Sequence, residues 1–258
     1  MSAAGTPRSD LATRTVVGVA LIALAAAALI LGGYLFWLVL VVAGLLMLAE
    51  WSDLLGVSYR FKRIAQFSLS VPLAILCPAA AGPGFLALGL TFGAAFFVVI
   101  VTQRPILAAG VLYVGLPVLA LLVIRAQPDG LLLAFWAMAL VWACDIGGYF
   151  AGRSIGGPKL APSISPNKTW SGLAGGVVAA AAFASVLYRF GLPVQLAIAT
   201  PLLAVVAQMG DLYESWMKRR AGVKDSGTML PGHGGFLDRL DGLVPVAPIA
   251  ALLVVLVR

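Results

Sequence analysis

The sequence predicts an all-α polytopic membrane protein of about nine transmembrane helices with a cytoplasmic N-terminus. Three observations predict it. Of 258 residues, 62% are hydrophobic and only 10% charged, against roughly 45–50% and about 25% in a soluble globular chain. Apolar runs of about 17–25 residues recur along the chain, each long enough to cross the hydrocarbon core as a helix. Glycine and proline punctuate most of the gaps between the runs. No soluble domain of ordinary size fits into what remains.

The elements follow in order. Residues 1–14 are small and polar and read as a cytoplasmic tail. Arg14 precedes the first run, 15–31. A basic start before an apolar run resembles a secretory signal. No convincing small-residue cleavage site follows, however, and Gly32-Gly33 leads straight into 34–49, so the first run reads as an uncleaved span. Residues 50–63 read as an interfacial helix after that short span. Next come 64–80, closed by Ala81-Gly82-Pro83-Gly84, then 85–101, closed by Arg104-Pro105, and 106–124, closed by Gln127-Pro128-Asp129-Gly130. The remaining spans are 131–150, 172–190 (closed by Gly191-Leu192-Pro193), 194–217 and 243–257. The chain thus divides into the tail, N-terminal helices over 15–130, and a C-terminal region, 131–258. That last region carries two polar loops, 151–171 and 218–242, and nearly all the polar chemistry. No repeat of fixed period is present.

Charge sets the orientation. With the N-terminus inside and nine crossings, Arg8, Arg14, Arg60, Lys62, Arg63, Arg104, Arg153, Lys159, Lys168, Lys218, Arg219, Arg220, Lys224 and Arg239 face the cytoplasm. Only Arg125, Arg189 and Arg258 face out. That is 14 of the 17 basic residues inside, as the positive-inside rule asks. The net charge of +7 therefore belongs to a membrane surface and phosphorylated substrates, not to nucleic acid. Cys77 and Cys144 lie in apolar runs without ligand-like spacing and read as small buried hydrophobes.

Three acids interrupt the apolar segments: Asp145, Asp211 and Glu214. A charge inside a span costs about 2.5–3.5 kcal/mol on insertion scales, so each is a functional candidate. Asp211, Glu214, Ser215 and Lys218 share one helix face. Glu214 and Lys218, four apart, could simply neutralise each other, whereas Asp211 has no local cation. After them come Lys218-Arg219-Arg220, Lys224-Asp225, Pro231-Gly232-His233-Gly234-Gly235, and Asp238-Arg239-Leu240-Asp241. Lysine and arginine suit phosphates. The glycine-rich turn lets backbone N–H groups approach an anion. Asp238 and Asp241 would share one face at the start of the last span. Carboxylates without cysteine, and one histidine in the whole chain, favour a hard cation such as Mg²⁺ over zinc. These are the parts of metal-assisted phosphoryl or nucleotidyl transfer. By composition alone a solvated basic loop would read the same way.

The stretch Ser215-x-x-Lys218-Arg219-x4-Lys224-Asp225-x5-Pro231-Gly232-His233-Gly234-Gly235-x-x-Asp238-Arg239-x-Asp241 resembles the signature of the phosphatidate cytidylyltransferase family. Gly210-Asp211-Leu212-x-Glu214-Ser215 fits before it. Two further matches are Ser165-Pro166-Asn167-Lys168-Thr169-Trp170-Ser171-Gly172 and Asp145-Ile146-Gly147-Gly148-Tyr149-Phe150-x-Gly152-Arg153. The N-terminal half matches only in its hydropathy. One departure is Ser171, where the family usually has Glu.

The resemblance implies a membrane-bound nucleotidyltransferase of phospholipid biosynthesis. A phosphate oxygen of phosphatidic acid attacks the α-phosphorus of CTP, giving CDP-diacylglycerol and pyrophosphate. On that reading Asp211 and Asp238 are the principal Mg²⁺ ligands, and Asp241 supports a second cation such as K⁺. Lys218, Arg219 and Lys224 bind phosphates, with Asp225 and Arg239 beside them. His233, Gly234 and Gly235 cradle the triphosphate. Lys168 binds the lipid phosphate, Asp145 orients a basic partner, and Ser215 bonds a phosphate or a metal-bound water. The resemblance also implies a homodimer in a bacterial inner membrane with its site facing the cytoplasm. The alternative is a CTP-dependent polyprenol or lipid kinase. A CDP-alcohol phosphotransferase would need an Asp-Gly-x2-Ala-Arg pattern that is absent. A transporter using the buried acids would need them near the midplane.

Overall fold

The computed structural model describes residues 7–257 apart from 231 and 233. It is a bundle of helices with one small hairpin. The elements are α1 (Pro7–Leu31), α2 (Gly33–Leu54), α3 (Tyr59–Ile75), α4 (Phe85–Thr102), α5 (Pro105–Arg125) and α6 (Gly130–Ile155). Then come strands β1 (Lys159–Ala161) and β2 (Ser165–Thr169), followed by α7 (Trp170–Tyr188), α8 (Val194–Arg220), the four-residue α9 (Leu237–Leu240) and α10 (Leu243–Val257). Six helices, α2 and α4 to α8, are long and apolar enough to cross a membrane; Thr15–Leu31 and Leu243–Val257 are shorter apolar helices. The chain is therefore an all-α polytopic membrane protein.

Local chemistry explains most boundaries. Gly32, at φ 63°, turns α1 into α2 in a region that side chains with a Cβ rarely enter. Ser58 caps α3 by accepting from the Phe61 N–H at 3.4 Å, and Thr169 caps α7 by accepting from the Gly172 N–H at 3.0 Å. Pro105 opens α5, where its missing N–H is harmless. Arg125 donates to the Leu29 and Ile30 carbonyls at the end of α1.

Several expectations change. Residues 50–63 are no interfacial helix: α2 continues to Leu54 and α3 starts at Tyr59, because Gly56, at φ 61°, rather than Glu50, supplies the break. The span expected over 64–80 is correspondingly shifted, with Leu76 onward forming the turn. Helix α1 reaches back to Pro7, so the expected tail is partly helical. The polar stretch 151–171 is not simply a loop. Its start completes α6, and β1 and β2 pair antiparallel, with Lys159 opposite Thr169 and Ala161 opposite Ser165.

Packing defines two ends. Trp51 at the C-terminal end of α2 donates to the Ile106 carbonyl at the start of α5. Trp37 near the other end of α2 donates to the Leu73 carbonyl near the end of α3. Helix α3 thus runs antiparallel along α2. The C-terminal ends of α2, α6 and α8 meet the N-terminal ends of α7 and α10 and the hairpin at one end of the bundle. The core is apolar, with Trp51, Trp136 and Phe36 almost fully buried. One buried polar pair, Trp136 Nε1 to Thr200 Oγ1 at 2.9 Å, fastens α6 to α8. Large apolar side chains line the outside, Phe85 being 92% exposed, as lipid contact permits.

Helices α6 and α7 pack backbone to backbone. A Cβ on Gly147 would meet the Ala179 Cβ and lie 2.7 Å from the Gly175 carbonyl oxygen; one on Gly176 would lie 2.7 Å from the Cys144 carbonyl oxygen. Small residues allow this approach where no hydrophobic effect drives helices together. Gly147→Ala should therefore lower the thermal midpoint in detergent, by the equivalent of about 1–3 kcal/mol of overpacking. Gly89→Ala, with nothing within 4 Å of the added Cβ, should leave it unchanged or raise it. Equal midpoints for the two variants would contradict the packing account.

Candidate active site

The polar residues at that end of the bundle fall into two linked groups, each centred on a lysine. Lys168, on β2, lies 2.5 Å from Asp211 Oδ2 and donates to Gln208 Oε1 at 3.0 Å. Gln208 Nε2 donates in turn to Asp145 Oδ1 at 3.3 Å, and Ser215 donates to Asp211 Oδ1 at 3.3 Å. The hairpin makes this possible by hanging Lys168 between α6 and α8. Asp211 had no local cation in the sequence; the chain returns one from 43 positions earlier. Asp145 meets Lys168 through Gln208 rather than directly. Gln208 carries no charge to mark it in the sequence, although an amide three positions before Asp211 in an apolar run is a signal.

Lys218 centres the second group. Its ammonium donates to Glu214 Oε2 at 3.0 Å and to Asp238 Oδ1 at 2.6 Å. The expected i,i+4 pair is therefore present but incomplete, because Lys218 also reaches across to α9. The other Asp238 oxygen accepts from the Ser226 N–H at 2.8 Å, the Ser226 hydroxyl at 2.9 Å and the Gly235 N–H at 2.8 Å. The glycine-rich turn does present an amide to an anion, and that anion is the Asp238 carboxylate of the same chain. Burial works to raise the Asp238 pKa, but Lys218 and the Gly235 and Ser226 amides outweigh it and hold the carboxyl below its usual range.

Asp241 lies between α9 and α10 and accepts from the Gly242 N–H at 2.7 Å. It stands three residues after Asp238 in helical geometry at the end of α9, and the charges of both carboxylates act on Glu214. Burial, then the charge of Asp211, push the Asp241 carboxyl up to about 7. Gly210 brings the two together: a Cβ there would lie 2.5 Å from the Asp241 carbonyl oxygen and 2.6 Å from Pro245 Cγ.

The remaining expected residues line the loop. Arg219 is exposed and donates to the Ile164 carbonyl at 3.4 Å and the Val223 carbonyl at 3.3 Å. Lys224, Asp225 and Arg239 are exposed. Gly234, at φ 80°, accepts at its carbonyl from the Leu230 N–H at 3.0 Å and closes the turn. His233 lies outside the described residues. Ser171 bonds the Gly156 carbonyl and the Thr169 hydroxyl, so it serves the junction between α6 and α7.

A further carboxylate escaped the sequence reading. Glu50, near the end of α2 and 2% exposed, accepts from the Ser226 hydroxyl at 3.0 Å, the Phe236 N–H at 2.9 Å and the Leu237 N–H at 2.8 Å. With it, six of the ten acidic residues of the chain gather here around two lysines. Glu50, Glu214 and Asp238 have buried side chains, and carboxylates withdrawn from water have to be relieved by protons, donors or cations. Glu214, 1% exposed, has one oxygen, Oε1, without a hydrogen-bond partner among the described residues. An all-oxygen donor set with an orphaned buried oxygen fits a hard cation. Among the described residues no three such side chains yet converge on one point, since the lysines occupy Asp211 and Asp238.

A family model described as the cytidylyltransferase family matches residues 12–257. The chain is similar to the phosphatidate cytidylyltransferase of Brucella suis biovar 1, at 42% identity over 95% of this chain and 93% of that protein. It is also similar to that of Bacillus subtilis strain 168, at 47% identity over 49% of each chain. A third, from Haemophilus influenzae, is 42% identical over 46% of this chain and 44% of that protein.

Lys218 is the counter-ion of two buried carboxylates, Glu214 and Asp238, its own side chain being 12% exposed. Removing one partner of a buried pair costs about 3–5 kcal/mol. Lys218→Met should therefore unfold at a markedly lower temperature in detergent than Arg220→Met, whose side chain lies over Trp216 at the surface. Comparable melting of the two variants would refute this.

Proposed function

The chain belongs to the cytidylyltransferase family, and from that premise we propose that it is a phosphatidate cytidylyltransferase. It joins CTP and phosphatidic acid into CDP-diacylglycerol and pyrophosphate for phospholipid synthesis. The observation that carries this reading is the family match over 12–257 together with the gathering of Asp211, Ser215, Lys218 and Asp238 at one end of the bundle. The kinase alternative is not favoured, because the relatives are cytidylyltransferases.

A phosphatidate oxygen forms the new bond to the α-phosphorus of CTP. The bond from that phosphorus to the bridging oxygen breaks, and pyrophosphate leaves with the electron pair. The attacking oxygen is already ionised, so positioning and charge neutralisation carry the rate. Lys168 takes the lipid phosphate, exchanging one anionic partner, Asp211, for another. Lys218, Arg219 and Lys224 bind CTP phosphates, and Asp225, His233, Gly234, Gly235 and Arg239 shape the loop around them. Asp145 steers Lys168 through Gln208. Ser215 turns its hydroxyl from Asp211 toward a phosphate.

Asp211, Asp238 and Asp241 would hold Mg²⁺, with the orphaned Glu214 oxygen beside them. Bound there, the ion neutralises phosphate charge and the leaving pyrophosphate. Asp241 suits the role most directly, since Asp211 would first release Lys168 and Asp238 would first release Lys218. A second cation such as K⁺ at Asp241, and assembly as a homodimer, rest on the family resemblance alone.

Nine crossings with the N-terminus inside are supported by the antiparallel run of α3 beside α2 and by the 14 of 17 basic residues that this orientation puts in the cytoplasm. The site then faces the cytoplasm of a bacterial inner membrane, where CTP is available and phosphatidic acid cannot leave the bilayer.

Purified protein given CTP, phosphatidic acid and Mg²⁺ should release pyrophosphate and CDP-diacylglycerol in equal amounts. CDP with a newly phosphorylated lipid would instead mark a kinase. Asp211→Asn should lower turnover by about 10²-fold or more, and near wild-type turnover at saturating Mg²⁺ would remove Asp211 from the metal site. Lys168→Met should raise KM for phosphatidic acid while leaving KM for CTP near its wild-type value.

A further inference from the structure

Glu50 belongs to the half of the chain that carries no other part of the site, yet it is the best-enclosed acid among the loop's partners. Its two oxygens receive three neutral donors, all from the segment 226–237. The fit is close on both sides. A Cβ on Gly227 would lie 2.7 Å from Glu50 Oε1, and one on Gly235 would lie 2.5 Å from Glu50 Oε2. Those two glycines are therefore required by the carboxylate they surround.

The Ser226 hydroxyl lies 3.0 Å from Glu50 Oε2 and 2.9 Å from Asp238 Oδ2. A hydroxyl carries one proton, so two carboxylates share one donor. Glu50, Ser226 and Asp238 form a continuous bridge, and Lys218 extends it to α8 at 2.6 Å. The loop is thus wrapped around two carboxylates, its own Asp238 and one delivered by α2. A neutral amide could not replace Glu50. Glutamine has one accepting oxygen, and its NH₂ group would face a backbone N–H or the hydroxyl.

We propose that Glu50 is a positioning residue for nucleotide transfer, acting through Ser226 to hold the 226–237 loop, and with it Asp238 and Lys218, in register for CTP. The assignment to CTP rests on the cytidylyltransferase reading, in which this loop takes the nucleotide and Lys168 takes the lipid. A merely structural Glu50 would lower stability without distinguishing the two substrates. A positioning Glu50 distinguishes them, because Lys168 and Asp211 hang on the hairpin and α8 rather than on the loop.

The test compares wild type with Glu50→Gln, Ser226→Ala and the double variant, each purified whole in detergent. Glu50→Gln should raise KM for CTP or lower kcat by about tenfold or more, the scale of a lost hydrogen bond to a charged group. KM for phosphatidic acid should not move, and trypsin should cut after the exposed Lys224 faster than in wild type. The double variant should be no worse than the worse single one, since both break one bridge. Unchanged kinetics in Glu50→Gln, an equal rise in both KM values, or additive losses would each overturn the proposal. If Glu50→Gln does not fold, Ser226→Ala alone should still show the CTP-selective loss and faster trypsin cleavage, and the absence of both overturns it. If wild type makes no CDP-diacylglycerol, the functional reading fails by itself. The loop-holding role is then decided by trypsin, whose equal rates in wild type and the variants would sink it.

Discussion

Carboxylates repel one another, and this protein collects six of them at one end of an apolar bundle, three with buried side chains. Two ammonium groups make that arrangement possible. Lys168 ties α8 to the hairpin through Asp211, and Lys218 ties α8 to the loop before α10 through Asp238. On the function proposed above, each lysine also meets an incoming phosphate. The contacts that hold the resting site together are therefore those that substrates have to replace, and a cation of higher charge could take the positions the lysines leave.

The bundle is shaped to deliver those lysines. Glycines in α6 and α7 bring two backbones into contact, and a short antiparallel hairpin connects the two helices. It projects Lys168 over α8. On the other side, Gly210 lets α10 approach α8 until Asp241 stands near Asp211. Small residues at two helix contacts thus set distances between charges. Packing and electrostatics are one problem here, since a methyl group at any of these glycines would part the groups that have to meet.

Much of this was legible in the sequence. Apolar runs and their Gly and Pro punctuation gave the helices, because lipid tolerates no other backbone. The acids of α8 announced themselves by interrupting such a run. What was hidden depended on contacts between distant segments. Lys168 as the partner of Asp211 required the hairpin, and the hairpin has no alternating pattern to betray it. Glu50 sat at the end of an apolar run, where a charge ordinarily means that the helix is leaving the membrane. Only the approach of Ser226, Phe236 and Leu237 turned an unremarkable helix end into part of the site. Asp238 was read as a ligand by its type and position, whereas its neighbours make it first an anchor for its own loop.

The Glu50 contact joins residues 187 positions apart. During synthesis at about 5–20 residues per second, α2 is inserted roughly 10–40 s before its partners leave the ribosome. For that interval a carboxylate destined for burial stands without its donors. Its place at the helix end lets water attend it meanwhile, which a site at the midplane would not allow. The last-made segment of the chain then closes over the first acid of the site. Catalytic competence so becomes a property of the finished, fully inserted protein, and a chain truncated before α9 would sit in the membrane without it.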